Sequence, residues 1–226
     1  MNTKMCIADA MDYWLHHREL EVRRSTMKMY KQFRLYIVGP LLVGSRMQRL
    51  NYSRRGILPS GASFLEMLGP KKIVDLTPAT IRVWHRMLTV QVGGHSANVA
   101  KKLLRSVLCL AAEDFGVPMP VMPARVGRGL VRPKKHILTP AQVGALLRAA
   151  QNDPYRGVYH AFPFLTGVRP SEQLALLWAD IDLNKRIIHI RRSQEPNGTT
   201  SELTKTAAGI RDIPIAPMLH HMLSEW

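Results

Sequence analysis

The sequence predicts a mainly α protein, a basic helical bundle followed by a smaller unit in which helices give way to strands. Three observations carry this. Apolar residues recur every three or four positions through four segments before residue 112; four prolines crowd positions 118, 120, 123 and 133; and strand-like runs begin only at residue 186. A chain of 226 residues, 46% apolar and 21% charged, has the length for a sizeable core and reads as neither a disordered tail nor a membrane protein.

Taken in order, Ile7 to Leu20 is the first helix, with Ile7, Met11, Trp14 and Leu15 on one face. Arg23 and Arg24 lead into a second, capped by Ser25, striped by Met29, Phe33, Tyr36 and Ile37, and stopped by Gly39-Pro40. From Val43 to Lys72 the pattern breaks around Gly44, Gly56, Pro59, Gly61, Gly69 and Pro70, which predicts a long basic connection with one short helix near Phe64 to Leu68. Thr77 with Pro78 starts a third helix, buried on Ile81, Trp84 and Leu88 and closed by Gly93-Gly94. Ser96 opens a fourth, with Leu103, Leu104, Val107 and Leu108 inward. Cys109 reads as core, and two cysteines are too few for a disulfide framework or a cysteine-based metal site.

Gly116 to Lys135 reads as a linker ending in Arg132-Pro133-Lys134-Lys135. The second unit opens at Thr139-Pro140 with a helix through Val143, Leu146 and Leu147, followed by one near Val158 to Leu165. After the turn Thr166-Gly167, Pro170 begins a helix bearing Leu174, Leu177 and Trp178. Strands follow at Arg186 to Arg192, Glu202 to Thr206 and Ile210 to Ile215, with turns at Pro196-Asn197-Gly198 and Ala207-Ala208-Gly209. Met218 to Trp226 starts a last helix.

Charge narrows the function classes. Residues 1–138 hold 23 Lys and Arg against 8 Asp and Glu, a net +15, whereas residues 139–226 hold 9 against 8, a net +1. So one-sided an excess points to a polyanion, nucleic acid first. No apolar run reaches the length of a membrane span and no signal-peptide core precedes Asp12, so the expectation is a protein that stays in the cytoplasm. The pairs His16-His17 and His220-His221 point about 100° apart on a helix, which argues for solvated surface over metal chelation. Arg54, Arg55, Lys101, Lys102, Arg105, Lys134 and Lys135 are candidate DNA-phosphate contacts, a solvated basic face being the alternative.

The most informative stretch runs from Thr166 to Trp178. Arg169 stands where a turn becomes a helix, beside backbone N–H groups that favour an anion, and Glu172 three residues on can hold its guanidinium by a hydrogen bond. Such a fork suits two oxygens of one phosphate. Taken alone, Arg-x-x-Glu is equally an ordinary helix-surface pair. The segment resembles the first arginine motif of the tyrosine recombinases, the phage-type integrases. Asp180-Ile181-Asp182, the strand Ile187 to Ile190, Leu203-Thr204-Lys205-Thr206 and Arg211-Asp212-Ile213-Pro214-Ile215 follow in that family's order, and Leu138-Thr139-Pro140 resembles its usual domain start.

The resemblance implies a helical, SAM-like core-binding domain over residues 1–130, a basic linker over 131–138, and the N-terminal part of a mixed α+β catalytic domain over 139–226. It implies site-specific DNA recombination at a duplex attachment site, other protomers on paired sites, a prokaryotic nucleoid setting, and neither metal nor nucleotide cofactor. Arg169 would grip the scissile phosphate, Lys205 would protonate the departing 5'-oxygen, and Glu172 would support Arg169. The nucleophilic tyrosine of that family lies far downstream of the lysine, whereas Tyr13, Tyr30, Tyr36, Tyr52, Tyr155 and Tyr159 all precede Arg169. His189-Ile190-Arg191-Arg192 spells a family motif out of order, in a strand where residues three apart face opposite ways. The expectation is therefore a C-terminally truncated recombinase, inactive alone. The alternatives are a DNA-binding module without catalysis and a basic RNA-binding structural protein.

Overall fold

A computed structural model describes residues 4–124, 136–195, 198–201 and 209–226. The chain divides into two compact units, Met1–Arg132 and Pro133–Trp226.

In the first unit α1 (Ile7–Glu19), α2 (Arg24–Ile37) and α4 (Pro78–Val92) all pack on the long α5 (Gly94–Phe115). Their apolar stripes meet in a core in which Ile7, Met11, Trp14, Ile37, Ile81, Trp84 and Leu104 are almost wholly buried. The two indoles are not left as orphan donors: Trp84 donates to the Tyr36 carbonyl at 2.9 Å and Trp14 to Ser106 Oγ at 3.3 Å. Thr77 caps α4 by accepting from the Thr80 N–H, with Pro78 at the first helical position.

Several local expectations fail. The cap of α2 is Arg23, in extended backbone, and Ser25 lies inside the helix. A tight turn after α1 starts α2 two residues early, so no side-chain oxygen is left at the cap. α5 opens at Gly94, two residues before Ser96, because Gly93 at φ 86° turns directly out of α4 into the next helix. Cys109 is only part-buried.

The largest departure is the stretch after Pro40. Leu41–Leu42 (β1) pairs antiparallel with Phe64–Leu65 (β2), where a helix is expected, and between them stands a ten-residue helix, α3 (Arg46–Arg55). Ser45 and Gln48 form a reciprocal capping box, and Gly56 ends the helix at φ 68°. No α3 residue is buried, so it has no apolar stripe for periodicity to detect.

In the second unit α6 (Pro140–Gln151) starts on a Thr139–Gln142 capping box and packs against α7 (Gly157–Thr166). A Cβ at Gly157 would lie 1.8 Å from the Ala150 carbonyl oxygen, so the helix junction closes only with glycine there. A three-stranded antiparallel sheet follows, in the order β3 (Ile181–Asp182), β4 (Ile187–Ile190), β7 (Arg211–Pro214), with Ile188 opposite Ile213 and Ile190 opposite Arg211. Phe162, Val168, Ile188, Ile190 and Ile215 join Leu219 and Leu223 of α9 (Pro217–Glu225) in its core. A short hairpin, β5 (Ser193–Gln194) with β6 (Thr200–Ser201), flanks Gly198. The expected strand at Glu202 to Thr206 lies outside the described residues.

The helix expected from Pro170 to Trp178 is only α8, Pro170–Gln173. Leu177 is extended, and the buried Asp180 carboxylate accepts its N–H at 2.9 Å, capping a 3₁₀ turn over Trp178–Asp180. That side chain offers the backbone an alternative to helix, and Leu174, Leu177 and Trp178 end more than half exposed.

Candidate functional site

Gly167 closes α7 in the left-handed region at φ 66°, a conformation glycine adopts without strain, and swings the chain so that Arg169 caps α8. Glu172 then faces back toward Arg169. Its carboxylate accepts the Arg169 backbone N–H at 2.9 Å and Arg169 Nη1 at 2.7 Å. A third donor arrives from β7, where Arg211 Nη2 meets the same carboxylate at 2.8 Å.

Exposure divides these groups sharply: the Glu172 side chain is 2% exposed, Arg211 31% and Arg169 57%. Burial pushes the Glu172 carboxyl up, but the Arg211 hydrogen bond and those from the Arg169 backbone and side chain overcome it, holding the group at about 2. Glu172 is therefore a buried anion at every physiological pH, and Arg169 is a cation anchored at one nitrogen with most of its fork open to solvent. Such a group can bind a phosphate without first being ordered. The backbone contributes less than the sequence implies. α8 has four residues, too few for a useful helix-terminal field, and the Arg169 N–H is already spent on Glu172.

Other arginines of this sheet are also paired. Arg192 binds Asp180, while Arg191 and His189 both reach Asp212, whose carboxyl is lowered by His189 and Arg191. His189 and Arg192 thus serve different partners, as opposite faces of an extended chain require. Among the described residues no group of three or more His, Cys, Asp or Glu is placed to hold a metal ion, and no helix is long and apolar enough to cross a membrane.

Of the remaining candidates, Arg54 and Arg55 are exposed in the last turn of α3, and Lys102 and Arg105 are exposed on α5. Lys101 is not free: its ammonium donates to the Pro123 carbonyl at 2.7 Å, and burial, then Arg105, lowers its pKa. Lys134, Lys135 and Lys205 lie outside the described residues. Arg211 is the member of the cluster to which sequence assigns no role. Its partner, Glu172 on α8, is 39 positions away, and the two meet only because the chain folds β7 back beside α8.

The sequence matches no family model and no curated protein. The fold does match solved structures of the Tn1549 transposon integrase. One, in complex with transposon right end DNA, superposes with a TM-score of 0.68 at 19% identity. Another, with circular intermediate DNA, gives 0.69 at 20% identity. Both comparisons cover 97% of this chain and 64% of the solved chain, so this chain spans just under two thirds of the length of those it matches. Over nearly its whole length, this mainly helical chain has the fold of a transposon integrase.

Proposed function

We propose that the chain is the DNA-binding and phosphate-gripping part of a site-specific recombinase of the tyrosine type. In this reading the basic first unit is the core-binding domain, and its charge draws a duplex attachment site onto it. Arg169 of the second unit then neutralises the non-bridging oxygens of the phosphate at which strands are exchanged, where negative charge builds as the phosphorus becomes five-coordinate. Glu172 is a positioning residue, and Arg211 fixes Glu172 in turn. Lys205 acts as general acid toward the 5'-oxygen. The attacking tyrosine and the phosphotyrosyl intermediate belong to the whole recombinase, because no tyrosine follows Arg169 in this sequence.

The observation that carries the reading is Arg169 itself, more than half exposed yet held by a carboxylate that is 2% exposed, on the fold of an integrase solved with DNA. An ordinary surface ion pair has no buried partner. The alternative of a basic RNA-binding protein gives no reason for one exposed arginine to be fixed this way. Selection by the 226-residue chain from random pools of duplex DNA and structured RNA tests the reading. Enrichment of one duplex sequence is expected, and a preference for RNA would overturn it.

A further inference from the structure

The segment from Gly39 to Leu68 leaves the helical bundle and returns to the same place. The Leu68 N–H donates to the Ile37 carbonyl at 2.9 Å and the Gly69 N–H to Val38 at 3.1 Å. The next rungs are Leu41 opposite Leu65 and Leu42 opposite Phe64, and the Val43 N–H then donates to Ser63 at 2.9 Å. Everything beyond that ladder is a lobe rooted on a closed stem.

The charge content of the lobe is one-sided. Residues 41–65 contain Arg46, Arg49, Arg54 and Arg55 and no Asp or Glu. Arg49 is spent on architecture, donating to the Gly44 carbonyl and, at 2.8 Å, to the Gln91 carbonyl at the end of α4. This ties α3 to the bundle on the Arg49 side. At 100° per residue, Arg54 and Arg55 project from the other side of the helix, and Arg46 stands at its start. All three are exposed, and among the described residues none has a carboxylate partner within salt-bridge distance. Arg46 and Arg54 are separated by about 12 Å of helix axis, comparable with the width of a B-DNA groove.

We propose that residues 41–65 form a dedicated DNA-backbone grip, in which Arg46, Arg54 and Arg55 neutralise phosphates of the duplex held by the first unit. This rests on duplex DNA being the ligand, and adds which element holds it. A helix capped at both ends, braced by Arg49 and without a buried residue of its own contributes little to the bundle core. Its arginines are presented on a rigid support, so little order must be created when phosphate binds. Contacts of this kind position a protein on DNA without reading sequence, so their signature is salt dependence.

Two variants test the proposal. In the first, residues 44–62 are replaced by Asn-Gly, which joins Val43 to Ser63 as a two-residue hairpin in the existing register. In the second, Arg46→Gln, Arg54→Gln and Arg55→Gln are combined with the lobe intact. Both are titrated against a labelled duplex over a range of salt, beside the unaltered chain. Each should lower the log-log salt slope by about 2.7, at roughly 0.9 per phosphate, and weaken binding on the order of a hundredfold near 0.1 M salt. Should the excised chain fail to fold, the triple substitution decides alone. An unaltered slope in the triple variant, with the parent chain still binding duplex, overturns the grip and leaves the functional reading standing. Failure of the parent chain to bind duplex overturns both.

Discussion

Replacing Glu172 by Gln removes one charge from a buried site that three donors share, and the structure sets the scale of the loss. The carboxyl is held at about 2 against an ordinary 4.5. That depression corresponds to about 3 kcal/mol favouring the ionised form in the folded state. Breaking a buried ion pair by removing one partner costs about 3–5 kcal/mol, the same range. The sign follows from a folded-state pKa below the unfolded one. The stabilisation is complete above about 4.5 and is lost as pH falls toward about 2, with about 2 kcal/mol gone by pH 3. Native-state hydrogen exchange at the Ile188, Ile190 and Ile213 amides of β4 and β7 reads the opening free energy of this unit alone. The variant should lose about 3 kcal/mol at pH 7 and show a smaller decrease than the parent between pH 7 and pH 3. A loss under about 0.5 kcal/mol at pH 7, or an unchanged pH response, would refute the buried-anion argument.

Two further outcomes follow from the same geometry. Incubated with a nicked duplex that traps covalent intermediates, the 226-residue chain should form no adduct, since its six tyrosines all precede Arg169. An adduct on Tyr155 or Tyr159, the two exposed tyrosines of the second unit, would require a different active-site assignment. Gly157→Ala should destabilise the second unit by about 1–3 kcal/mol, because the new methyl would overlap the Ala150 carbonyl until α6 and α7 separate. Thermal unfolding followed by circular dichroism measures this, and an unchanged transition would show that the junction has slack.

The parts of the fold legible in the sequence are those with a local physical signature. Trp14, Ile81, Trp84 and Leu104 lie on helical stripes that reach the core, and Thr77-Pro78 and Thr139-Pro140 start helices where cap chemistry places them. α3 escaped because it buries nothing, although Ser45-x-x-Gln48 and Gly56 mark both its ends. Leu174, Leu177 and Trp178 misled for the opposite reason: their spacing is helical, but α8 stops at Gln173 and the Asp180 carboxylate holds the extended Leu177 backbone as the cap of a separate 3₁₀ turn. At the site, Arg169 and Glu172 are three residues apart and their contact is readable from spacing. Arg211 is not, since a partner on another strand leaves no trace in local sequence.

The role proposed for Arg169 requires that it grip one particular phosphate. On the duplex selected by the chain, each phosphate in turn is replaced by a neutral methylphosphonate, and affinity is measured for the parent chain and for Arg169→Ala. A charge-assisted hydrogen bond of this kind contributes about 1.5–3 kcal/mol, or roughly tenfold or more in Kd. At one position the substitution should cost the parent chain that factor and cost the alanine variant almost nothing, because the group that felt the charge is gone. Equal losses in both proteins at every phosphate would show that Arg169 faces no phosphate at all.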